Sequence, residues 1–378
     1  MEGLTGPSLF GTNFFIKRVS LYGPPQITGN KNLRWLQSSY GNPGSSKPGP
    51  NGELSSRQLE EAYNLTSCGF EDGTKWGEEL GFRYLSVVED IFTGFLLHCD
   101  GWKSANIHPK RPAFLGVPST NLNIIFLQET RWYSGLAEIT LSRFCPFIYG
   151  LRRRLNFLTC FCYTYVALFP LLHCVPYCIL ASLPQLCLIH GISVYPDASH
   201  PFFGVAIFVV LSAMSRVIFD DLSTGGSIRT AINAQRMVEM KAVTSKAYGT
   251  LEAVMKIANW RSQSFLPTDK VDDDDRTKSH RMDQFDFRAP SSFLVPIVSL
   301  VLLNFLSFAV GLAGIVISGH GLVFQLSISF YALVSGYPII EEVLFRDDDG
   351  RVPPTVTCRS AAAVVVFMIL GSTALRVV

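Results

Sequence analysis

Two stretches of this chain, residues 155–222 and 293–378, are almost free of charge, and a polar, basic stretch separates them. Residues 1–154, ahead of the first, have the Gly-, Pro- and Asn-rich composition of a soluble region. A helix needs about 20 apolar residues to cross a bilayer. Residues 155–195, interrupted by Pro170, Pro176 and Pro184, are read as one kinked crossing with an interfacial lead-in. Phe202–Phe219 is a second crossing, with Arg216 placed to snorkel at its end. Phe293–Ile317, Leu322–Ile340 and Thr355–Leu375 bring the expected number to five. Parity supports this count. Arg152-Arg153-Arg154 before the first crossing and the Lys/Arg-rich residues 223–292 after the second both mark the cytosolic side. A hairpin within 155–195 would put them on opposite sides. Arg346–Arg351 then forms a short cytosolic loop, and the C-terminus faces the lumen or exterior.

In residues 223–292, Ser227–Trp260 reads as an amphipathic helix with Leu251, Val254, Met255 and Ala258 on one stripe. It suits a helix lying along the membrane surface, with the core helix of a small soluble insert as the other reading. Residues 269–286 form a charged linker. The Asp run 272–275 lacks the Gly and terminal Glu of a calcium loop.

In the soluble region, Leu9–Tyr22 reads as strand material closed by Gly-Pro-Pro, with a turn at Gly11-Thr12-Asn13. Residues 37–53 have loop composition, and Ser55 with Gln58 forms a capping box for a short helix to Ala62. Phe82–Val88 reads as a buried strand, followed by a helix over Ile91–His98. Gly101–Gly116 is extended and basic, with Trp102, Lys103, Lys110 and Arg111. It lines a groove for a phosphate or sugar, or is a solvated loop. Asn121–Phe144 reads as a helix. The expected fold class is therefore α/β in the head and all-α in the membrane.

Composition narrows the function. A net charge of +2 gives no reason to expect a nucleic-acid partner. Six cysteines, Cys145, Cys160, Cys162, Cys174, Cys178 and Cys187, lie in or beside the first apolar stretch without metal-site spacing. They read as packing residues or occasional lipid acceptors. The start shows no signal-peptide pattern, so internal spans direct insertion and the head stays cytosolic. The sequon Asn64-Leu65-Thr66 is then unused.

The candidate chemistry lies in two places. Glu89-Asp90 follows the expected strand, where open α/β sheets place ligand-binding groups, although such a pair also occurs at surface turns. Gln128, Arg131 and Trp132 share a helix face at i, i+3, i+4. Trp stacks on a pyranose, Gln bonds hydroxyls, and Arg neutralises a diphosphate. The bland reading is a polar cap over a core. Asn304, inside a span, either meets a polar substrate or ties two helices. A transporter or channel would make the Glu-Asp and Gln-Arg-Trp groups coincidental.

These groups and the membrane layout together resemble plant cellulose synthases and, more closely, cellulose synthase-like proteins of the G- and E-type groups. The resemblance is carried by GPSLFGTNFFIKR, TKWGEELGFRYLSVVEDIFTGFLLHCDGWKS, RPAFLGVPSTNLN, QETRWYSGLAEITLSRFCPFIYG, STGGSIRT and SFLPTDK. It implies a family 2, GT-A-type, inverting transferase that takes a UDP-sugar, UDP-glucose first among them, at a cytosolic head in the Golgi or an adjoining membrane. The product would be a β-linked cell-wall polysaccharide, or a glucosyl or glucuronosyl group placed on a small lipophilic acceptor such as a triterpenoid. The chain then divides into a partial transferase domain (1–154), two spans (155–222), an interface helix with a gating loop (223–292) and three spans (293–378).

Carried over, Asp90 is the general base and Glu89 its support; Val88 stands where the family has Thr. Gln128, Arg131 and Trp132 bind the acceptor end and the diphosphate. Phe265, Thr268 and Lys270 lie in the gating loop, which departs from the family pattern at two inner positions. The family also uses Mg²⁺ or Mn²⁺, held by acidic motifs that fall upstream of the matched region. The Asp residues at 72, 272–275 and 347–349 are in the wrong context to replace them. The expectation is the C-terminal portion of a transferase, without donor and metal motifs, or a short non-catalytic partner or scaffold for related synthases.

Overall fold

The computed structural model describes residues 1, 3–22, 56, 59, 60, 63, 76–78, 80–84, 86–107, 109–114, 116, 119–196, 199–260, 285–318, 322–345 and 351–377. They form two compact units, residues 1–116 with 135–168, and residues 117–134 with 169–378.

The first unit contains α1 (Arg18–Tyr22), α2 (Glu89–Cys99), the C-terminal part of α3 (Leu122–Leu141), α4 (Pro146–Arg152) and the N-terminal part of α5 (Phe157–Leu180). The strand expected over Leu9–Tyr22 is not formed; coil with a turn at Gly11-Thr12 leads into α1. Nor is the strand expected over Phe82–Val88, whose described residues are bends, a turn and coil. A strand requires a partner for its N–H and C=O groups. Among the described residues the only ladder contact is the isolated bridge Trp76–Leu80. The helix Ser55–Ala62 falls mostly outside the described residues.

Aromatic contacts build this unit's core. Phe92 meets Phe144 edge-on at 5.1 Å, and Phe95 meets Tyr163 at 5.1 Å. Gly150 admits Cys160, whose Sγ would lie 2.8 Å from an added Cβ. Arg153, one of the three arginines read as a topological marker, binds Asp100 at 2.6 Å, which raises its pKa. Burial, aided by the Asp100 carboxylate, pushes the Cys99 thiol up to about 12, so it packs as a neutral group.

His98 joins the helix to the N-terminal segment. Its Nδ1 lies 2.9 Å from the Tyr163 hydroxyl and its Nε2 3.1 Å from Ser104 Oγ. Ser104 donates its own proton to the Pro7 carbonyl, so Nε2–H donates to Ser104 and Nδ1 accepts from Tyr163. Burial lowers the imidazole from 6.5 to about 4. Between these values the unfolded chain binds a proton that the folded chain refuses. Stability present above pH 6.5 is therefore lost as pH falls toward 4, by about 3 kcal/mol for this group. Melting of the purified protein in detergent should fall accordingly from pH 7 to pH 4.5, and His98→Gln should flatten that dependence.

The second unit is helical. α6 (Leu183–Ile189) continues from α5, and α7 (Pro201–Ser223) follows. The interface segment is α8 (Ile228–Lys241), a π-helical turn (Ala242–Lys246) and α9 (Ala247–Ile257). Then come α10 (Ser291–Ser318), α11 (Val323–Ser335), α12 (Tyr337–Leu344) and α13 (Pro354–Val377). Four helical stretches are long and apolar enough to cross a membrane: Phe157–Ile189, Pro201–Ser223, Ser291–Ile317 and Pro354–Leu375. α11 and α12 make a fifth if the pair is counted as one span. The stretch expected as a span over Leu322–Ile340 is a broken one, its two helices bent by 61°. Gly336 and Pro338 lie at the break, and Pro338 removes a backbone donor where the helix would continue.

The core of this unit gathers Leu122, Phe126, Met240, Val243, Phe293, Leu294, Ile297, Ile339 and Val356. α10 runs through it against α11, α13 and α6. Asn304 ties α10 to the end of α5, its Nδ2 donating to the Ala181 carbonyl at 3.0 Å. This is the helix-joining role. Gln325 clamps α6 by donating to Pro184 O and Ile192 O and accepting from Val194 N. α7 buries no residue, and most of its large apolar side chains are exposed. Such a surface is stable where lipid is the solvent. The protein is a membrane protein.

Ser227 starts the interface helix with a capping box shared with Thr230. The stripe Leu251, Val254 and Ala258 is exposed, with Met255 half-buried, and it is Gly249 and Ala253 that pack inward. An uncovered apolar stripe on this helix fits contact with the membrane surface.

Candidate functional site

Asp90 lies in the first unit, in the opening turn of α2, where the helix dipole favours a carboxylate. The backbone N–H of Gly11 donates to its Oδ2. This half-buried pair lies at a helix start and not at a strand end, which corrects the expected setting of both Glu89 and Asp90. Val88, before them, is buried and caps the helix without a side-chain hydrogen bond. It packs against Gly135, where an added Cβ would come within 3.0 Å of Val88 Cγ2. Arg83 N donates to Thr93 Oγ1 at 2.9 Å, which fixes the approach of the chain to α2.

Gln128, Arg131 and Trp132 lie in the second unit, on α3. Asn121 caps that helix, its Oδ1 accepting from Asn123 N at 3.0 Å. Gln128 and Arg131 are half-buried, and Trp132 is 42% exposed, an accessible ring for a large indole. Asp90 and the Gln-Arg-Trp group thus belong to separate units, each held by its own packing. Phe265, Thr268 and Lys270 lie outside the described residues, as do the Asp positions 72, 272–275 and 347–349. Among the described residues no three His, Cys, Asp or Glu side chains gather to hold a metal ion.

Sequence reasoning missed what lies beneath Gln128–Trp132. Glu129 forms an ion pair with Lys241 of α8 at 2.6 Å. Tyr133 and Phe169 face the ammonium of Lys246. Burial and the Glu129 carboxylate push the Tyr133 phenol up. Burial lowers the Lys246 amine from 10.5 to about 8. Their side chains meet only once α3 and the interface helix are packed, and no local pattern announces such a pairing.

A small cavity in the same unit is lined by Tyr177, Arg236, Glu239, Asn304 and Ser335. Glu239 accepts from the Tyr331 hydroxyl at 2.6 Å and from Gln235 at 3.1 Å.

The cellulose synthase family model matches residues 45–374, which include Asp90 and Gln128–Trp132. The chain belongs to the cellulose synthase family, whose members are membrane glycosyltransferases, and its relatives place it with the cellulose synthase-like proteins. It is 32% identical to quillaic acid 3-O-glycosyltransferase CSL1 of Saponaria officinalis, over 93% of this chain and 51% of that protein. It is 31% identical to cellulose synthase-like protein E1 of Oryza sativa subsp. japonica, over 82% of this chain and 43% of the other. With cellulose synthase-like protein E2 of the same rice, identity is 29% over 98% of this chain and 49% of the relative. The chain spans about half the length of the curated relatives it matches.

Proposed function

We propose that this chain provides the base and acceptor side of a membrane-bound, inverting transferase that uses a UDP-sugar, UDP-glucose first, to form a β-linked glycan. One observation carries the reading: the family match includes Asp90 and the Gln-Arg-Trp face together. In the proposed step the Asp90 carboxylate takes the proton of the acceptor hydroxyl. The freed oxygen forms a bond to the anomeric carbon as the bond to the diphosphate oxygen breaks, with inversion. UDP leaves with its negative charge against Arg131, Trp132 stacks on the acceptor ring, and Gln128 orients its hydroxyls. Glu89 supports Asp90, and Phe265, Thr268 and Lys270 close over UDP. Mg²⁺ or Mn²⁺ is the cation expected with a UDP-sugar.

In this reading five crossings hold the chain in a Golgi membrane, with α11 and α12 as one broken span and the head in the cytosol. Association with related synthases completes the proposal.

A small lipophilic acceptor is the second reading, favoured by the likeness to a quillaic acid glycosyltransferase. The two separate in one assay, offering UDP-glucose or UDP-glucuronic acid with glucan oligomers or triterpenoid acids to the purified protein in detergent. Turnover with neither acceptor class would overturn the transferase reading and leave a non-catalytic membrane partner. UDP binding with and without Mn²⁺ tests the donor side, and metal-dependent binding would assign that site to residues outside those described. Trp132→Ala should raise the acceptor KM about tenfold, the loss of one stacked ring and its buried area, with the donor KM nearly unchanged. An equal rise in both would remove Trp132 from acceptor binding.

A further inference from the structure

Lys246 ends the π-helical turn, whose five residues, Ala242 to Lys246, are all buried. A π turn inserts an extra residue into a helix, and such turns gather at functional sites. Its Nζ lies 4.8 Å from the ring centre of Phe169 and 5.8 Å from that of Tyr133, within cation–π reach of both. Tyr133 directly follows Trp132 on α3. One turn earlier, Glu129 binds Lys241 at 2.6 Å. One turn on, Gly249 brings the interface helix against the backbone of α3, since an added Cβ would lie 2.6 Å from Thr130 O and 2.9 Å from Ser134 N. Lys256 donates to Ser134 Oγ at 3.3 Å. The interface helix thus grips α3 along the residues that flank Gln128, Arg131 and Trp132.

Lys241 and Lys256 form ion pairs with carboxylates, whereas the Lys246 ammonium, at 2% exposure, sits against two aromatic faces with the Glu129 carboxylate acting on it without an ion-pair contact. A buried ammonium is a costly way to fill space, and Met would fill it at less cost. We propose that Lys246 is a positioning residue: its ammonium, held against Tyr133 and Phe169, fixes the rotation of α3 that presents Gln128, Arg131 and Trp132. This rests on the reading of those three as the acceptor end of the site. The charged and titratable groups facing Lys246 are Glu129 and Tyr133 from α3, Lys241 from α8, and His173 and Cys174 from α5. With its amine near 8, Lys246 is charged at pH 7 and mostly neutral at pH 9.

The test compares the whole chain with its Lys246→Met and Lys246→Arg variants in detergent, reading melting temperature, hydrogen exchange and transfer kinetics. Lys246→Met should melt at the same or a higher temperature. Exchange in the peptide 126–134 should speed up about tenfold, while 291–318 stays unchanged. The acceptor KM should rise about tenfold with the donor KM within about twofold, the mark of lost positioning. In the wild type the acceptor KM should climb from pH 7 to pH 9; in Lys246→Met it should be flat, and Lys246→Arg should restore much of the neutral-pH value. Unchanged exchange at 126–134 would overturn the proposal whether or not transfer is detected. So would a fall in melting temperature with faster exchange throughout, which would make Lys246 a packing residue. Faster exchange at 126–134 with no transfer by the wild type would keep the clamp and remove the acceptor-site reading.

Discussion

Asp90→Asn should lower sugar transfer by about two to four orders of magnitude, the usual contribution of a positioned general base. The substitution keeps the shape of the side chain and an oxygen able to accept the Gly11 N–H, so the opening turn of α2 retains its contact. What is lost is the charge, worth only about 0.3–1 kcal/mol to the helix through its dipole. A loss of basicity worth several times that should therefore be seen in turnover and not in folding. UDP binding should remain within about twofold, because the proposed role of Asp90 lies on the acceptor side. Turnover by the variant at more than about a tenth of the wild-type rate would remove Asp90 from the base role. Loss of UDP binding along with turnover would point to a damaged head.

The membrane helices were legible because lipid imposes a simple rule on composition. Phe202–Phe219, with Arg216 its one charge, and Phe293–Ile317 were placed from their apolar composition, and the helices run Pro201–Ser223 and Ser291–Ser318. Ser227 is likewise a local signal, since a cap needs only its own next turn. The errors lie where a distant partner decides. Phe82–Val88 has strand-forming residues, but a strand needs a neighbour, and none lies beside it among the described residues. The stripe at Leu251, Val254 and Ala258 reads as facing the membrane surface and is exposed, although spacing alone cannot tell a core face from a lipid-facing one. Here the close approach of Gly249 to α3 turns the other side inward. The bend after Ser335 was missed because apolar residues continue through it. At the candidate site, the shared helix face of Gln128, Arg131 and Trp132 follows from their spacing, and α3 provides that helix. Lys241 and Lys246 gave no signal, because a lysine in an amphipathic helix reads as solvated until a second helix covers it.

Phe126→Ala should then be the most disruptive single truncation near the site, destabilising the second unit by about 3–5 kcal/mol, the usual cost of deleting a buried ring. Phe126 is fully buried, with its ring centre 5.3 Å from that of Phe293, in the core that also holds Leu122, Val243 and Ile297. At about 100° per residue, Gln128 and Trp132 lie about 200° and 240° round α3 from Phe126. The ring thus anchors the side of the helix opposite the one offered to an acceptor. Emptying that anchor frees α3 to move as a body, because Glu129–Lys241 and the Gly249 contact hold only the next two turns. Two effects should appear together in the purified protein: a lower midpoint of unfolding and weaker acceptor use at temperatures where the fold survives. Phe126→Leu, which refills most of the space, should recover much of both. Full acceptor use by a Phe126→Ala protein that unfolds early would show that the Gln128–Trp132 face is held in place by the interface helix alone.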